Sequence, residues 1–414
     1  MVAFEFPPSN GASVPRIESF YRYLKLWGWR VIVLTAKTSA YSKLDPAYKG
    51  EFGEKVYRTL AFDVQRDLSY RGKYISAMET PDRWGLTWIP SSIFMGSKLI
   101  KKYQPNIVWS SSPTPSTHYI ANKLSQQASL PWVADYRDPC HYMNGSAGRW
   151  LDFIHKKIDK KVMLNSAHIT YATFAVRDLY LAEYGNLIEN KNTVIENGFD
   201  DVNFEKLEKL SKAQRANTPF SSKKFSMYYS GVLYAHGRDP VPIFKAISNL
   251  HNDGVLNNDN FEFIFQGAGT GEEFCALLTT LGITNLVKFV ESVSFINALN
   301  NMTQADALVL IQDSRFNKQI PGKVYEYLRT QRPILVKADS QGETYKLASS
   351  FDGVETGMGV YDLTLAIKSL FDSKNELGQT ISYYRDLSAH NRRQKAKQLD
   401  QILTDIVQNQ PKDF

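Results

Sequence analysis

The segment WRVIVLTA, residues 29–36, admits few folds. It is almost continuously apolar and β-branched, the pattern of a strand buried on both faces, and such strands sit in parallel sheets covered by helices. Segments of this kind recur along the chain. VAFEF (Val2–Phe6) comes first, followed by a turn-rich loop, PPSNGASVPR, and a helical stretch, IESFYRYLKLWG, that ends at Gly28. NIVWSSS (Asn106–Ser112), LPWVADYRD (Leu130–Asp138), AHITYATFAV (Ala167–Val176) and NTVIENGFD (Asn192–Asp200) add further strand ends. Residues 40–80, rich in Tyr, Arg and Lys, read as irregular. A polar stretch, Glu205–Lys224, reads as a linker with a short helix. Five more apolar strands, each followed by a helical segment, come after it in SMYYSGVLYAHGRDP, NFEFIFQGAGTGEEF, LVKFVES, ADALVLIQ and RPILVKA. From Ile381 onward the sequence is polar, charged and helical in pattern.

A chain of 414 residues outgrows a single core, which rarely exceeds ~250–300 residues. The alternation therefore predicts two doubly wound α/β domains, over 1–204 and 205–380, with a helical segment at 381–414. The formal net charge of +7 suits an anionic substrate or an anionic membrane surface. The charge does not read as gathered into one basic stripe with interleaved aromatics, so nucleic acid is not an expected partner. Cys140 and Cys275 match no metal-ligand spacing and read as two buried or partly buried thiols in a reducing compartment. No apolar run reaches the ~18 residues of a spanning helix. Glu5 and two prolines stand where a signal peptide needs an apolar run. The expected location is cytoplasmic. Trp84, Trp88, Ile89, Ile93, Phe94 and Met95, followed by Lys98, Lys101 and Lys102, suit either peripheral contact with an inner membrane face or packing on the first sheet.

The chemistry-bearing segments fall at strand ends. In QIPGKVYEYLRTQRPIL, Pro321 and Gly322 open a helix that carries Lys323, Val324 and Glu326. A lysine in the first turn opposes the helix dipole unless an anion balances it. Gly322 lets an anion approach the backbone, and Glu326 could accept bonds from ribose hydroxyls. The same residues would serve an ordinary surface helix with a Lys–Glu pair. In YYSGVLYAHGRDP, Gly231 permits a tight turn beside a ligand, and Arg238 could clamp a diphosphate. Gly11 and Arg16 lie at the mouth of the first βα loop. Asp135, Arg137 and Asp138 crowd three charges after an apolar strand, which calls for pairing or a ligand. Glu196, Asn197, Gly198 and Asp200 read as a turn first and a site second. His118 follows a strand and could line a cleft. FQGAGTGEEF half-matches a dinucleotide fingerprint, with Glu291 near the ribose-binding position. The third glycine position is Glu272, so Gly267 and Gly269 are read as lining a nucleotide site rather than NAD.

In their order and spacing these segments resemble the family 4 glycosyltransferases of GT-B fold, in particular the branch that builds bacterial surface polysaccharides such as lipopolysaccharide. The resemblance covers nearly the whole chain, through FPPSNGASVPR, RVIVLTA, SSSPTPSTHYIANKL, PWVADYRDP, VIENGFD, YYSGVLYAHGRDP, FQGAGTG and PGKVYEYLRTQRPIL. It implies two facing Rossmann-like domains and a C-terminal helix that could cross back to the first. It implies retaining transfer from a nucleoside-diphosphate sugar, with no metal or other cofactor, to a glycan or lipid-linked acceptor. By position, Arg238 and Lys323 would hold the donor diphosphate and Glu326 the ribose. Gly11 would lie near the donor phosphates, with Gly231, Gly267, Gly269, Pro321, Gly322 and Val324 completing the donor site. Arg16, His118, Asp135, Arg137 and Asp138 would serve the acceptor, with Asp138 counted beside Arg238 and Lys323 as catalytic. The family's two glutamates stand eight residues apart; here Glu326 matches the second, and the first falls on Lys318. The alternatives are a sugar-nucleotide epimerase on the same architecture and a non-catalytic nucleotide-sugar-binding module.

Overall fold

The computed structural model describes residues 1–409 apart from 46, 47, 49, 51–54, 141–148 and 234–236, and only the backbone of residue 149. The chain divides into two compact units, residues 1–197 with 392–414, and residues 198–391.

In the first unit the strands are β1 (Val2–Ala3), β2 (Val33–Ala36), β3 (Val56–Thr59), β4 (Val108–Ser111), β5 (Trp132–Tyr136), β6 (His168–Tyr171) and β7 (Asn192–Val194). They form one sheet in the order β3-β2-β1-β4-β5-β6-β7, with every pairing parallel. Its helices are α1 (Val14–Leu26), α2 (Val64–Asp67), α3 (Gly85–Tyr103), α4 (Pro115–Ala128), α5 (Arg149–Asn165) and α6 (Phe174–Ile188). Trp88 and Leu99 of α3, Ile120 of α4, Ile158 of α5 and Tyr180 of α6 bury one face of the sheet.

The second unit opens with α7 (Asp201–Glu208) and α8 (Lys212–Ala216). Its strands are β8 (Phe225–Ser230), β9 (Phe261–Gln266), β10 (Val287–Val290), β11 (Ala307–Ile311), β12 (Ile334–Lys337) and β13 (Val354–Gly357), in the order β10-β9-β8-β11-β12-β13, again all parallel. Its remaining helices are α9 (Val241–Asn252), α10 (Glu272–Thr280), α11 (Phe295–Gln304), α12 (Lys323–Arg329), α13 (Glu343–Ala348) and α14 (Val360–Leu377). Phe244 of α9 and Ile367 of α14 pack on one face, and Leu299 of α11 with Val324 and Leu328 of α12 pack on the other.

The last helix, α15 (Arg392–Gln408), belongs to the first unit. Ala396, Leu399 and Leu403 join Ile17, Phe20 and Leu24 of α1 in the core on the face opposite α3–α6. Trp29 Nε1 donates to Asp400 Oδ1 at 2.7 Å.

Both units are Rossmann-like, as the alternation predicts. In each, the strand order reverses at one point, between β1 and β4 and between β8 and β11. Open α/β sheets bind ligands outside the carboxyl ends of the strands at such a point. Two strands depart from the expectation. β3 lies within residues 40–80, read as irregular, and β13 makes the second sheet six-stranded rather than five. VYRT and VETG are edge strands with one neighbour each and partly exposed side chains, so neither needs the continuous apolar run of a central strand. α1 starts at Val14, earlier than the periodicity suggests, with proline in its first turn where a missing N–H costs nothing. Cys140 is buried, but Cys275 on α10 is exposed, contrary to the reading of both as buried or partly buried.

Candidate active site

The second unit gathers cations at its switch point. β8 ends at Ser230, and Gly231 follows with φ +108, a conformation that side-chain-bearing residues rarely adopt. A Cβ on Gly231 would lie 3.1 Å from the Lys323 ammonium nitrogen. Lys323 is the first residue of α12. Its Nζ donates to the Ser230 carbonyl and lies 4.3 Å from the centroid of the Tyr229 ring. Among the described residues no carboxylate forms an ion pair with it. Burial away from water pushes its pKa down to about 7, the Arg238 guanidinium adds to the drop, and Glu326, one turn along, opposes it. Two positive groups are thus held close together at the carboxyl edge of the sheet. α12 is only seven residues long, so the charge at its start comes chiefly from Lys323 rather than from a helix dipole.

The loop that carries Arg238 is tied down on both sides. Arg238 Nη1 donates to the Val232 carbonyl at 2.9 Å. The Asp239 amide donates to Asp313 Oδ2 at 3.1 Å, and the Asp313 amide to the Gly237 carbonyl at 3.0 Å. Asp313 Oδ1 in turn holds the buried Lys337 Nζ at 2.6 Å. Gly237 has φ +120, and a Cβ there would fall 2.0 Å from the Phe316 ring. Sequence reasoning passed over Asp313 and Lys337. The available signal was a lysine closing the apolar strand RPILVKA, where burial demands a partner.

Gly267, Gly269 and Gly271 follow β9 with φ of +71, +98 and +76. The backbone needs left-handed residues at these alternate positions, and Gly271 caps α10 beneath the Phe289 ring. Glu272 and Glu273 occupy the first turn of α10, where they complement the dipole themselves. Pro321 and Gly322 lead into α12, and Val324 is buried in the core beneath it. Lys318 is exposed on the loop between β11 and α12. That loop is pinned by Gln312 Nε2, which donates to the Phe316 and Gln319 carbonyls at 3.1 and 3.0 Å.

In the first unit the predicted residues fall into three groups. Arg16 and Asp135 form a buried bidentate pair at 3.1 and 2.7 Å. Asp135 also accepts from Ser111 Oγ and Thr170 Oγ1, both at 2.7 Å, and Arg16 Nη1 reaches the Glu196 carbonyl at 3.0 Å. Burial alone would raise the Asp135 pKa; Arg16 and the two hydroxyls together bring it below the ordinary value. The pair clamps the strand ends of β4, β5 and β6 to α1. His118 is fully buried, its Nδ1 2.9 Å from Ser110 Oγ and its ring 4.6 Å from that of Tyr136. Burial pushes its pKa down to about 4, so the imidazole is neutral. Arg137 and Asp138 pair with each other at the end of β5, Nη2 to Oδ2 at 2.9 Å. Gly11 approaches an anion, but that anion is the chain's own Glu5. A Cβ on Gly11 would lie 2.1 Å from Glu5 Oε2, and Ser9 and Ser13 both donate to the same carboxylate. Sequence reasoning used Glu5 only to argue against a signal peptide. Among the described residues no cluster of three metal-ligating side chains occurs, and no helix is long and apolar enough to cross a membrane.

No family model matches the sequence, and no curated protein is similar to it in sequence. Solved structures are similar along almost its whole length. A glycosyltransferase from Rickettsia africae superposes with a TM-score of 0.62 at 14% identity, over 99% of this chain and 98% of that one. HepE from Anabaena, solved with UDP-glucose, gives 0.64 at 14% identity over 98% and 100%. The UDP-GlcNAc 2-epimerase of Methanocaldococcus jannaschii gives 0.60 at 11% identity over 97% and 99%. At these identities the likeness is one of fold: the two Rossmann-like units are those of the GT-B architecture.

Proposed function

We propose that this chain is a glycosyltransferase that moves a sugar from a nucleoside-diphosphate sugar, with retention and without a metal, onto a glycan or lipid-linked acceptor in bacterial surface-polysaccharide synthesis. The observation that carries the reading is the pairing of Lys323 and Arg238 at the β8–β11 switch point. Breaking a sugar–phosphate bond builds negative charge on the departing diphosphate. Fixed cations in a partly water-excluded site stabilise that charge where it appears. Lys323, left without a carboxylate partner and with a depressed pKa, would regain its full charge beside a diphosphate. Gly231 provides the close approach, and Glu326 would take the ribose. In the first unit, Asp138 with Arg137 is the polar pair assigned to the acceptor, whereas Arg16 and Asp135 hold it together from within. The fold shared with HepE bound to UDP-glucose supports a nucleotide-sugar donor.

The test is transfer by Lys323→Ala against the unaltered chain. Loss of one such charge-stabilising group should lower turnover by ~100-fold or more; unaltered rates would refute the assignment. A thermal-shift panel of nucleoside diphosphates and their sugars identifies the base, since binding to the folded state alone raises the transition. The fold is equally that of an epimerase, and conversion of the donor with no acceptor present would establish that reading instead. Lys318, where the resemblance places a glutamate, favours the non-catalytic alternative, which binds donor and turns nothing over.

A further inference from the structure

We propose that the outer face of α3, α4 and α5 docks on an anionic lipid bilayer. These three helices hold nine of the chain's 49 Lys and Arg but only two of its 42 Asp and Glu. That excess of seven equals the entire formal net charge, and the rest of the chain is balanced. The sequence read as having no gathered basic stripe. The topology gathers one, because the crossovers set α3, α4 and α5 side by side on one face of the sheet. One of the two acids, Asp159, is buried and accepts hydrogen bonds from Tyr136 and Tyr180, so it offers little to the surface.

Some lysines outside these helices are neutralised locally. Lys288, Lys337, Lys346, Lys368, Lys374 and Lys395 each form an ion pair with a carboxylate. Among the described residues, Lys98 of α3 and Lys156, Lys157, Lys160 and Lys161 of α5 are exposed and form none. Large apolar side chains stand out beside them: Trp150 is 62% exposed, Phe153 47% and Phe94 63%. Lys98 lies 4.1 Å from the Phe94 ring centroid and Lys157 4.2 Å from that of Phe153. On α5, Trp150, Phe153, Lys157, Lys160 and Leu164 recur at helical spacing, which puts aromatics at one end of an exposed stripe and cations along it.

A diffuse anionic surface fits this arrangement better than a folded partner does. Lysines are hydrated point charges on flexible stems, able to follow mobile headgroups, whereas specific recognition of phosphates on a nucleic acid or peptide favours arginine. Protruding Trp and Phe suit the headgroup–acyl boundary.

The experiment is co-sedimentation of the full chain with phosphatidylcholine vesicles, with and without phosphatidylglycerol. The expected result is binding that requires phosphatidylglycerol and weakens with salt. Lys157→Gln with Lys160→Gln should weaken it by about 25-fold, at roughly five-fold per lysine. Trp150→Ala with Phe153→Ala should remove the part that survives high salt, and Lys368→Gln on α14 should change nothing. Brominated lipid should quench the tryptophan emission, and Trp150→Phe should lose most of that quenching. The proposal is overturned if the chain ignores phosphatidylglycerol at low salt. It is also overturned if the α5 variants bind as the unaltered chain does, or if polyglutamate or duplex RNA binds more tightly than the vesicles.

Discussion

Lys323 is held at a disadvantage. Its ammonium has a backbone carbonyl and a ring for company, and a guanidinium nearby. An unfolded chain would give it a pKa near ~10.4, whereas the fold lowers it to about 7. The unfolded state therefore binds the extra proton between these values, and the lysine's contribution to stability improves as pH rises through that window. Below about 7 its penalty is fully present. Solvent reaches part of the side chain, which keeps the amplitude modest. Lys323→Met should raise the melting temperature of the ligand-free protein near neutral pH by ~2–4 °C and abolish the stabilisation by a nucleoside-diphosphate sugar. Calorimetry with and without the ligand checks both. With Lys323 in the proposed donor role, the same titration would govern binding. The diester phosphates of a donor stay ionised from about pH 6.5 to 9, so affinity should fall as pH rises and Lys323 loses its proton, by at most about ten-fold per unit. A flat affinity profile by titration calorimetry would remove Lys323 from the donor site.

At the scale of elements, the Arg238 loop depends on an ion pair one strand away, between the buried Lys337 and the partly exposed Asp313. Asp313 receives the Asp239 amide on one oxygen and Lys337 on the other. Removing Asp313 leaves the buried Lys337 ammonium uncompensated, and because Asp313 is partly exposed the cost falls below the ~3–5 kcal/mol of a fully buried pair. Asp313→Asn should destabilise the second unit and also raise KM for the donor. Asp313→Asn with Lys337→Met, which removes the stranded charge, should recover stability but not KM. Equal recovery of both would mean that Asp313 acts only in folding. The sequence revealed the helix start at Lys323 and the turn at Gly231, because glycine and a misplaced lysine are local signals. It did not reveal Asp313–Lys337, whose partners are 24 residues apart and meet only because β11 and β12 are neighbours. Arg16–Asp135, joined across 119 residues, was read as two ligands for the same reason. Central strands such as VLTA were legible from burial on both faces, whereas β3 and β13 were not, since an edge strand lacks that constraint.

For the whole molecule, the second unit is an insertion in the first. α15 supplies Ala396, Leu399 and Leu403 to a core otherwise built by α1 and the first sheet. Leu399→Ala and Leu403→Ala should each cost ~2–5 kcal/mol in the unfolding of the first unit, and the transition of the second should not move. Domain-resolved hydrogen exchange separates the two, and equal losses in both units would contradict the division.

The placement of α15 also sets a timetable for biosynthesis. A ribosome releases residues 1–197 first, yet the hydrophobic bed on α1 stays uncovered until residues 392–408 leave the exit tunnel. Residues 198–391 can complete their own core while translation continues. Of the two units, the one that emerges first closes last, and its adhesive apolar strip stays bare while residues 198–391 are made.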